Sequence, residues 1–298
     1  MTAILGRPYH LLGSSLRFPK RTVKKRGTAH PNLFLACGCL FFSLAFFHVR
    51  GHQTESSSLR EQDDPRLAAV LKKTAQYCLR LDKAALDFVC LEDVAEMTRR
   101  YTPQTDVYLY DYQFIRKGRE TKEKRNLISV NGKKTNIGDS QLYTVMFQYK
   151  NVLFGPVGLL SQNWQAYHDY KLVGEDTFSN DKVVVIEVKP NAFLVTPHCY
   201  GKVWVNEEDG SVLKIIWDQQ SLGNFQSAEE WARIHDAELQ ITAYSEYGHE
   251  KNGLRFPSRS YTEYATIEKN KRKFVSAEIT ITYKDYKFFT VETEIKYD

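Results

Sequence analysis

From residue 278 onward the chain alternates apolar and polar side chains almost without a break. Ile279, Ile281 and Tyr283 fall on one side of an extended backbone, and Glu278, Thr280 and Thr282 on the other. Lys284-Asp285 reads as a two-residue turn, after which Phe289, Val291, Ile295 and Tyr297 alternate with Thr290, Glu292, Glu294 and Lys296. Successive side chains of a strand point to opposite faces, so the segment predicts an antiparallel hairpin with one apolar and one wetted side. Similar stretches recur back to about residue 86. A chain built this way must cover its apolar side, and function is expected in whatever does the covering.

Reading back, strands are expected at Phe88 to Met97, Val107 to Arg116, Arg125 to Val130, Tyr170 to Phe178 and Lys182 to Val188. Further strands are expected at Gly201 to Asn206, Ser211 to Asp218, Leu239 to Tyr247 and Arg255 to Ile267. Asn131-Gly132 is a strong hairpin turn, and Pro190 ends its strand. Short connections require antiparallel neighbours in sequence order, a meander of about ten or eleven strands. Ahead of it, Asp64 as N-cap and Pro65 at the first helical position open a helix. Its apolar stripe is Leu67, Val70, Leu71, Ala75, Cys78 and Leu81. A short helix is expected through Trp164, and a turn of helix around Glu229-Trp231. A twisted sheet of this many strands curls. A closed barrel and an open half-barrel are both available to it. The expected fold is mainly β: an open antiparallel half-barrel with the N-terminal amphipathic helix and a helical or loop lid on its concave side.

Charge divides the chain. Residues 1–51 hold Arg7, Arg17, Lys20, Arg21, Lys24, Lys25, Arg26 and Arg50, and the first acidic residue is Glu55. Without those eight, the rest carries 33 basic against 36 acidic residues, a net charge of −3. Phosphate neutralisation supplies most nucleic-acid affinity, so a folded part with this balance argues against nucleic acid as a partner. The basic leader precedes a fifteen-residue apolar run, Leu33 to Phe47. That length suits a secretion signal better than a spanning helix, which needs about twenty residues. Residues 1–51 therefore read as a signal peptide, with an uncleaved membrane anchor as the competing reading. Residues 52–65 are a polar linker without periodicity, and 66–298 form the folded domain. The positive flank predicts that this domain is exported, to a periplasmic or envelope-associated location.

Export permits disulfides. Cys78 on the helix and Cys90 on the following strand are expected to form one, stabilising by about 3 kcal/mol through loop entropy. The alternative is two buried thiols acting as small apolar residues. Cys199 is left over.

Tyr108, Tyr110, Tyr112 and Phe114 stand at two-residue spacing and share a face, either lining a ligand cavity or packing across strands. The apolar loop from Leu153 and Phe154 to Leu159 and Leu160 holds three backbone breakers and leads to Trp164. It reads as a gate or as a buried connection. With Trp217 these residues are the candidate ligand-binding set. No catalytic constellation stands beside them: the chain has no G-x-S-x-G, Walker loop or H-E-x-x-H. His168-Asp169, His198-Cys199 and His249-Glu250 are adjacent pairs whose side chains point to opposite faces. Glu292 and Glu294 share a polar strand face, where carboxylates are usually solvated. No catalytic residue, metal or cofactor is expected.

The stretches Tyr77-Cys78-Leu79-Arg80-Leu81, Phe88-Val89-Cys90-Leu91-Glu92, Gly201-Lys202-Val203-Trp204-Val205 and Glu250 to Pro257, in an order of signal, helix, three strands, irregular apolar segment and long run of strands, resemble the LolA-like periplasmic lipoprotein carriers. The likeness covers about residues 66–298. It implies an open β half-barrel with helical lids that shields a lipid, a lipoprotein acyl chain or a similar apolar group, meeting the membrane through its leader or during cargo transfer. The alternative from the residues is an envelope protein-interaction or stress-sensor domain that grips a partner with the same curved sheet.

Overall fold

The computed structural model describes residues 64–84, 88–99, 102–117, 120–140, 155–194, 198–223 and 225–289. The leader, most of the linker, Leu153, Phe154 and everything from residue 290 lie outside the described residues.

Eleven strands form one antiparallel sheet. Four come first: β1 (Phe88–Arg99), β2 (Pro103–Lys117), β3 (Glu120–Val130) and β4 (Lys133–Ile137). After α2 (Gly155–Leu160) and α3 (Gln162–Gln165) come β5 (His168–Phe178), β6 (Asp181–Pro190), β7 (Gly201–Asn206) and β8 (Val212–Trp217). The helix α4 (Gln226–Ile234) precedes β9 (Ala237–Glu246), and β12 (Arg259–Glu268) and β13 (Lys273–Phe288) complete the sheet. Its spatial order is β4-β3-β2-β1-β13-β12-β9-β8-β7-β6-β5. The chain therefore starts near the middle, runs out to one edge, resumes at the other edge and returns to lay β13 against β1. That differs from the expected plain meander. The closing step is the pairing of β1 with β13, with Val94 opposite Ile281. Edges β4 and β5 do not meet, so the sheet is open, as expected, rather than a closed barrel.

Two expected breaks sit elsewhere. Lys284-Asp285 is not a turn, because β13 runs straight through it for sixteen residues. Asp285 has φ 57°, and the register with β1 shifts between Val89 and Leu91, which makes the site a β-bulge. One extra residue inverts the alternation beyond it. Tyr286 and Phe288 therefore pack on the core while Phe289 is 55% exposed, the reverse of the expected phase. The second break divides the expected strand from Arg255 to Ile267. Pro257, which has no N–H to donate, separates a short strand β11 (Leu254–Phe256) from β12, and β11 pairs with β10 (His249–Lys251) as a small hairpin.

The two faces of the sheet differ as the alternation requires. Ile215, Ser245, Ser260, Ile281, Val94 and Tyr108 are successive cross-strand partners on the inner face, and all are buried. The adjacent outer row reads Lys214, Glu246, Arg259, Thr282 and Asp93. The helix α1 (Pro65–Ala84) lies on the inner side. Asp64 caps it, its Oδ1 accepting from the amides of Arg66 at 2.8 Å and Leu67 at 3.4 Å. Leu67, Val70, Tyr77, Cys78 and Leu81 are its buried stripe. The β7–β8 turn touches the helix backbone at Gly210, where φ is +74° and a Cβ would stand 2.6 Å from the Lys73 carbonyl carbon. Only glycine fits both the left-handed backbone and that approach. Arg66 adds contacts to Glu207 at 2.8 Å and Glu175 at 2.6 Å.

Candidate functional site

The inner face carries two distinct groups of candidate residues. Tyr108, Tyr110, Tyr112 and Phe114 all face inward from β2, each 7% exposed or less. Phe114 stacks on Phe88 at 5.4 Å, and Tyr112 meets Tyr283 edge-on at 6.3 Å. The ladder is thus packed into the core along with Phe256, Tyr286 and Phe288, which gather around Phe88. Trp217 lies on β8, under α2, with its Nε1 donating to Ser245 Oγ at 3.1 Å. Strands β1, β13, β12 and β9 separate it from the ladder, a path of about 24 Å at roughly 4.8 Å per strand. The ten expected residues therefore do not converge on one point. The helix of Leu159 and Leu160 rests on Trp217 through Gly155, Trp164 stacks instead on His198, the β2 ladder stands on other strands, and Leu153 and Phe154 lie outside the described residues.

Between the ladder strands is an ion pair that the alternation hid. Glu92 on β1 is fully buried and takes two bonds from Arg125 on β3, from Nε at 2.6 Å and Nη2 at 3.1 Å. The Arg125 guanidinium also lies 4.7 Å from the Tyr112 ring centre and 3.4 Å from Glu123. Burial pulls the guanidinium pKa down, but the charge and hydrogen bond of Glu92 outweigh it and hold the proton more tightly than usual. Burial, followed by the Glu123 charge, pushes the Tyr112 hydroxyl well above its ordinary range, and Tyr112 donates to Glu123. The sequence signal was the phase of β1: Glu92 shares its parity with Phe88, Cys90 and Val94, the buried positions. Glu96, also buried, continues the same series, so two acidic residues fall on that face.

The lid is the pair α2 and α3. Six residues are too few for a helix to satisfy its own carbonyls, so side chains from elsewhere do it. Pro156 O receives Cys78 Sγ at 3.4 Å, Gly158 O His198 Nε2 at 2.9 Å, Leu159 O the Tyr170 hydroxyl at 2.6 Å, and Leu160 O Gln165 Nε2 at 2.8 Å. Leu159 and Leu160 point into the core, 1% and 0% exposed. At Gly155 a Cβ would stand 2.7 Å from the Tyr247 hydroxyl oxygen and 3.2 Å from Trp217, so the lid backbone rests directly on β8 and its neighbours. Trp164 stacks on His198 at 4.7 Å, and His168 lies 5.1 Å from His198. Burial, its largest cause, lowers the pKa of both imidazoles. As adjacent-pair members these histidines offered no chemistry; their partners are lid carbonyls, four residues away for His168 and forty for His198.

Cys78 and Cys90 are not joined. Both are buried free thiols, Cys78 turned to the lid at Pro156 and Cys90 bonded to Tyr286, so the expected disulfide gives way to two separate contacts. Burial pushes the Cys78 thiol up to about 12. On the outer side of β5–β8, a groove of about 550 Å³ is lined by Asp176, Glu187, Lys202 and Trp204 among others, with Trp204 Nε1 bonded to Asp176 at 2.9 Å. Its charge is mixed. Among the described residues no three His, Cys, Asp or Glu side chains are grouped to hold a metal ion.

No family model matches the sequence, and no curated protein matches it. Solved structures do. A DUF1329 family protein from Desulfovibrio piger is 11% identical, with 75% of this chain and 95% of that one covered and a TM-score of 0.35. A LolA superfamily protein from Nitrosomonas europaea is 14% identical over 76% of this chain and 94% of that one, with a TM-score of 0.32. An outer membrane lipoprotein-sorting protein domain from Vibrio parahaemolyticus is 12% identical over 75% and 94%, with a TM-score of 0.37. At these identities the likeness gives no residue a role.

Proposed function

We propose that the protein is an exported, non-catalytic binding protein whose curved sheet shelters an acyl chain or a comparable apolar group, borne by a lipid or a lipoprotein. The observation that carries this reading is the lid. Two helices of six and four residues cover an apolar inner surface that continues across an open sheet, and side-chain bonds to single carbonyls hold the six-residue one. In the closed form Leu159, Leu160 and the α1 stripe fill the covered part, so a guest exchanges with the lid rather than entering a vacancy. Exposing two buried leucines costs about 3–6 kcal/mol. A methylene brings back about 0.8 kcal/mol, so a chain longer than roughly eight methylenes outweighs the loss. The basic flank and apolar run of residues 1–51 support export and an envelope location.

A second reading, an envelope protein-interaction domain, is favoured by the two open edges. Among the described residues β4 and β5 each pair on one side only. Such an edge offers backbone donors and acceptors to the strand of a partner protein.

The test is native mass spectrometry with lipid extraction on the full chain isolated from a bacterial envelope, as wild type and as Tyr170→Phe, which loosens the Leu159 carbonyl. The expected result is acyl-containing adducts on the wild type and a higher occupancy in the variant. Two empty proteins that copurify with a strand-adding partner would reject the carrier in favour of the second reading.

A further inference from the structure

His168 and His198 each tie down one of the two lid helices. His198 donates from Nε2 to the Gly158 carbonyl of α2 at 2.9 Å, and His168 from Nδ1 to the Trp164 carbonyl of α3 at 2.9 Å. A carbonyl only accepts, so each bonded nitrogen carries the proton and the other nitrogen of the neutral ring is an acceptor. In His168 that second nitrogen, Nε2, is buried without a partner, in a residue 1% exposed. Around the two rings are Trp164 and Tyr170, the latter 6.2 Å from His168, with Pro190 of β6 opposite His168 in the ladder. Neither α2 nor α3 contains an acidic or basic residue. The charged neighbour of His168 is Asp169, which is exposed and on the opposite face of β5. The charged neighbour of His198 is His168 itself once protonated.

We propose that His168 and His198 form an acid-sensitive latch: uptake of a second proton by His168 places a charge on a buried nitrogen that has no acceptor, a charge on the partly buried His198 ring 5.1 Å away adds repulsion, and α2 and α3 lift from the sheet so that water can reach the buried ring. The bonds to Gly158 and Trp164 survive protonation, since both nitrogens of an imidazolium are donors. What fails is the burial of the newly charged nitrogen, made worse when the neighbouring ring is also charged. The lowered pKa of both rings has the matching sign. The closed lid keeps its full stability above the usual imidazole value of 6.5 and loses it as pH falls below. In use, the latch rests on the guest-exchange reading proposed above, since opening by acid would load or discharge the hollow. Lid motion itself is measurable without a guest, so the two proposals fail separately.

The experiment is hydrogen exchange of the full chain at pH 7.5 and pH 5.0, corrected for intrinsic rates, with peptides from α2–α3 compared with β7–β8. The wild type is expected to lose protection in the lid by about tenfold or more at pH 5.0, where a released imidazole of ordinary pKa, about 6.5, is charged more than tenfold over neutral, while β7–β8 is unchanged. The paired variant His168→Asn and His198→Gln keeps a donor at the position of each bonded nitrogen but cannot titrate, and should show no acid response. Equal lid protection at both pH values in the wild type overturns the latch, as does an acid response that persists in the variant. Should the variant not fold, imidazole carbon shifts of the wild type decide. Rings that charge near 6.5 while the lid stays protected overturn the proposal; rings that resist charging until the lid exchanges support it.

Discussion

Glu92 and Arg125 make a two-point ion pair on the inner face of the sheet, with the carboxylate fully buried and the guanidinium side chain 10% exposed. Removing one partner strands the other. Arg125→Met is expected to destabilise the fold by about 3–5 kcal/mol, because the carboxylate of Glu92 is left buried without its counter-charge. Adding Glu92→Gln to Arg125→Met should recover much of that loss. Urea titration of the two single variants and the pair checks it; equal or additive losses would contradict the coupling.

Gly210 and Gly253 both have positive φ, +74° and +69°, but only Gly210 meets backbone within 3 Å, at Lys73. Gly253→Ala should cost about 1 kcal/mol, from the left-handed backbone alone. Gly210→Ala should cost clearly more, since helix α1 must also move away from the turn. Equal midpoint shifts in chemical denaturation would show that the helix does not rest there.

Cys78 and Cys90 are expected to be alkylated only after unfolding, and without reductant. Burial pushes both thiols up, Cys78 to about 12, so neither supplies thiolate at neutral pH in the folded state. Mass mapping of protein alkylated before and after denaturation, with no reducing agent present, is the measurement. A peptide joining the two cysteines would restore the disulfide reading.

Several hydroxyls in the core stay protonated far beyond the usual tyrosine value of 10. Burial is the leading cause for Tyr112, Tyr283, Tyr286 and Tyr170. The unfolded chain releases these protons near pH 10 and the folded chain does not. Folding stability is therefore intact below about pH 10 and falls as pH rises through the alkaline range. Thermal melts from pH 8 to 11 should show this fall, with phenolate absorbance appearing in step with unfolding. Phenolate rising ahead of unfolding would contradict it.

Much of the architecture was legible locally. The alternation in β2, the Asn131-Gly132 turn and the Asp64-Pro65 helix start each depend on a few consecutive residues, and each stands where it was expected. The lid was visible as an apolar segment rich in breakers. The histidines that hold it were not, because their acceptors are carbonyls whose positions no side-chain pattern encodes. Lys284-Asp285 shows the same limit in another form. A turn and a bulge both ask for a residue that tolerates positive φ, and only the partner strand β1 reveals which one is present.

Period-two patterning comes from the covalent geometry of an extended chain, so the residues alone establish a two-faced sheet and an amphipathic helix to lie on it. Which strands become neighbours, where the register slips and which polar groups end up buried together depend on contacts between distant parts of the chain. The pairing of β1 with β13 and the enclosure of Glu92 with Arg125 belong to that second kind. Their free energy arises only when those parts meet and exclude water, and tertiary structure alone brings them together.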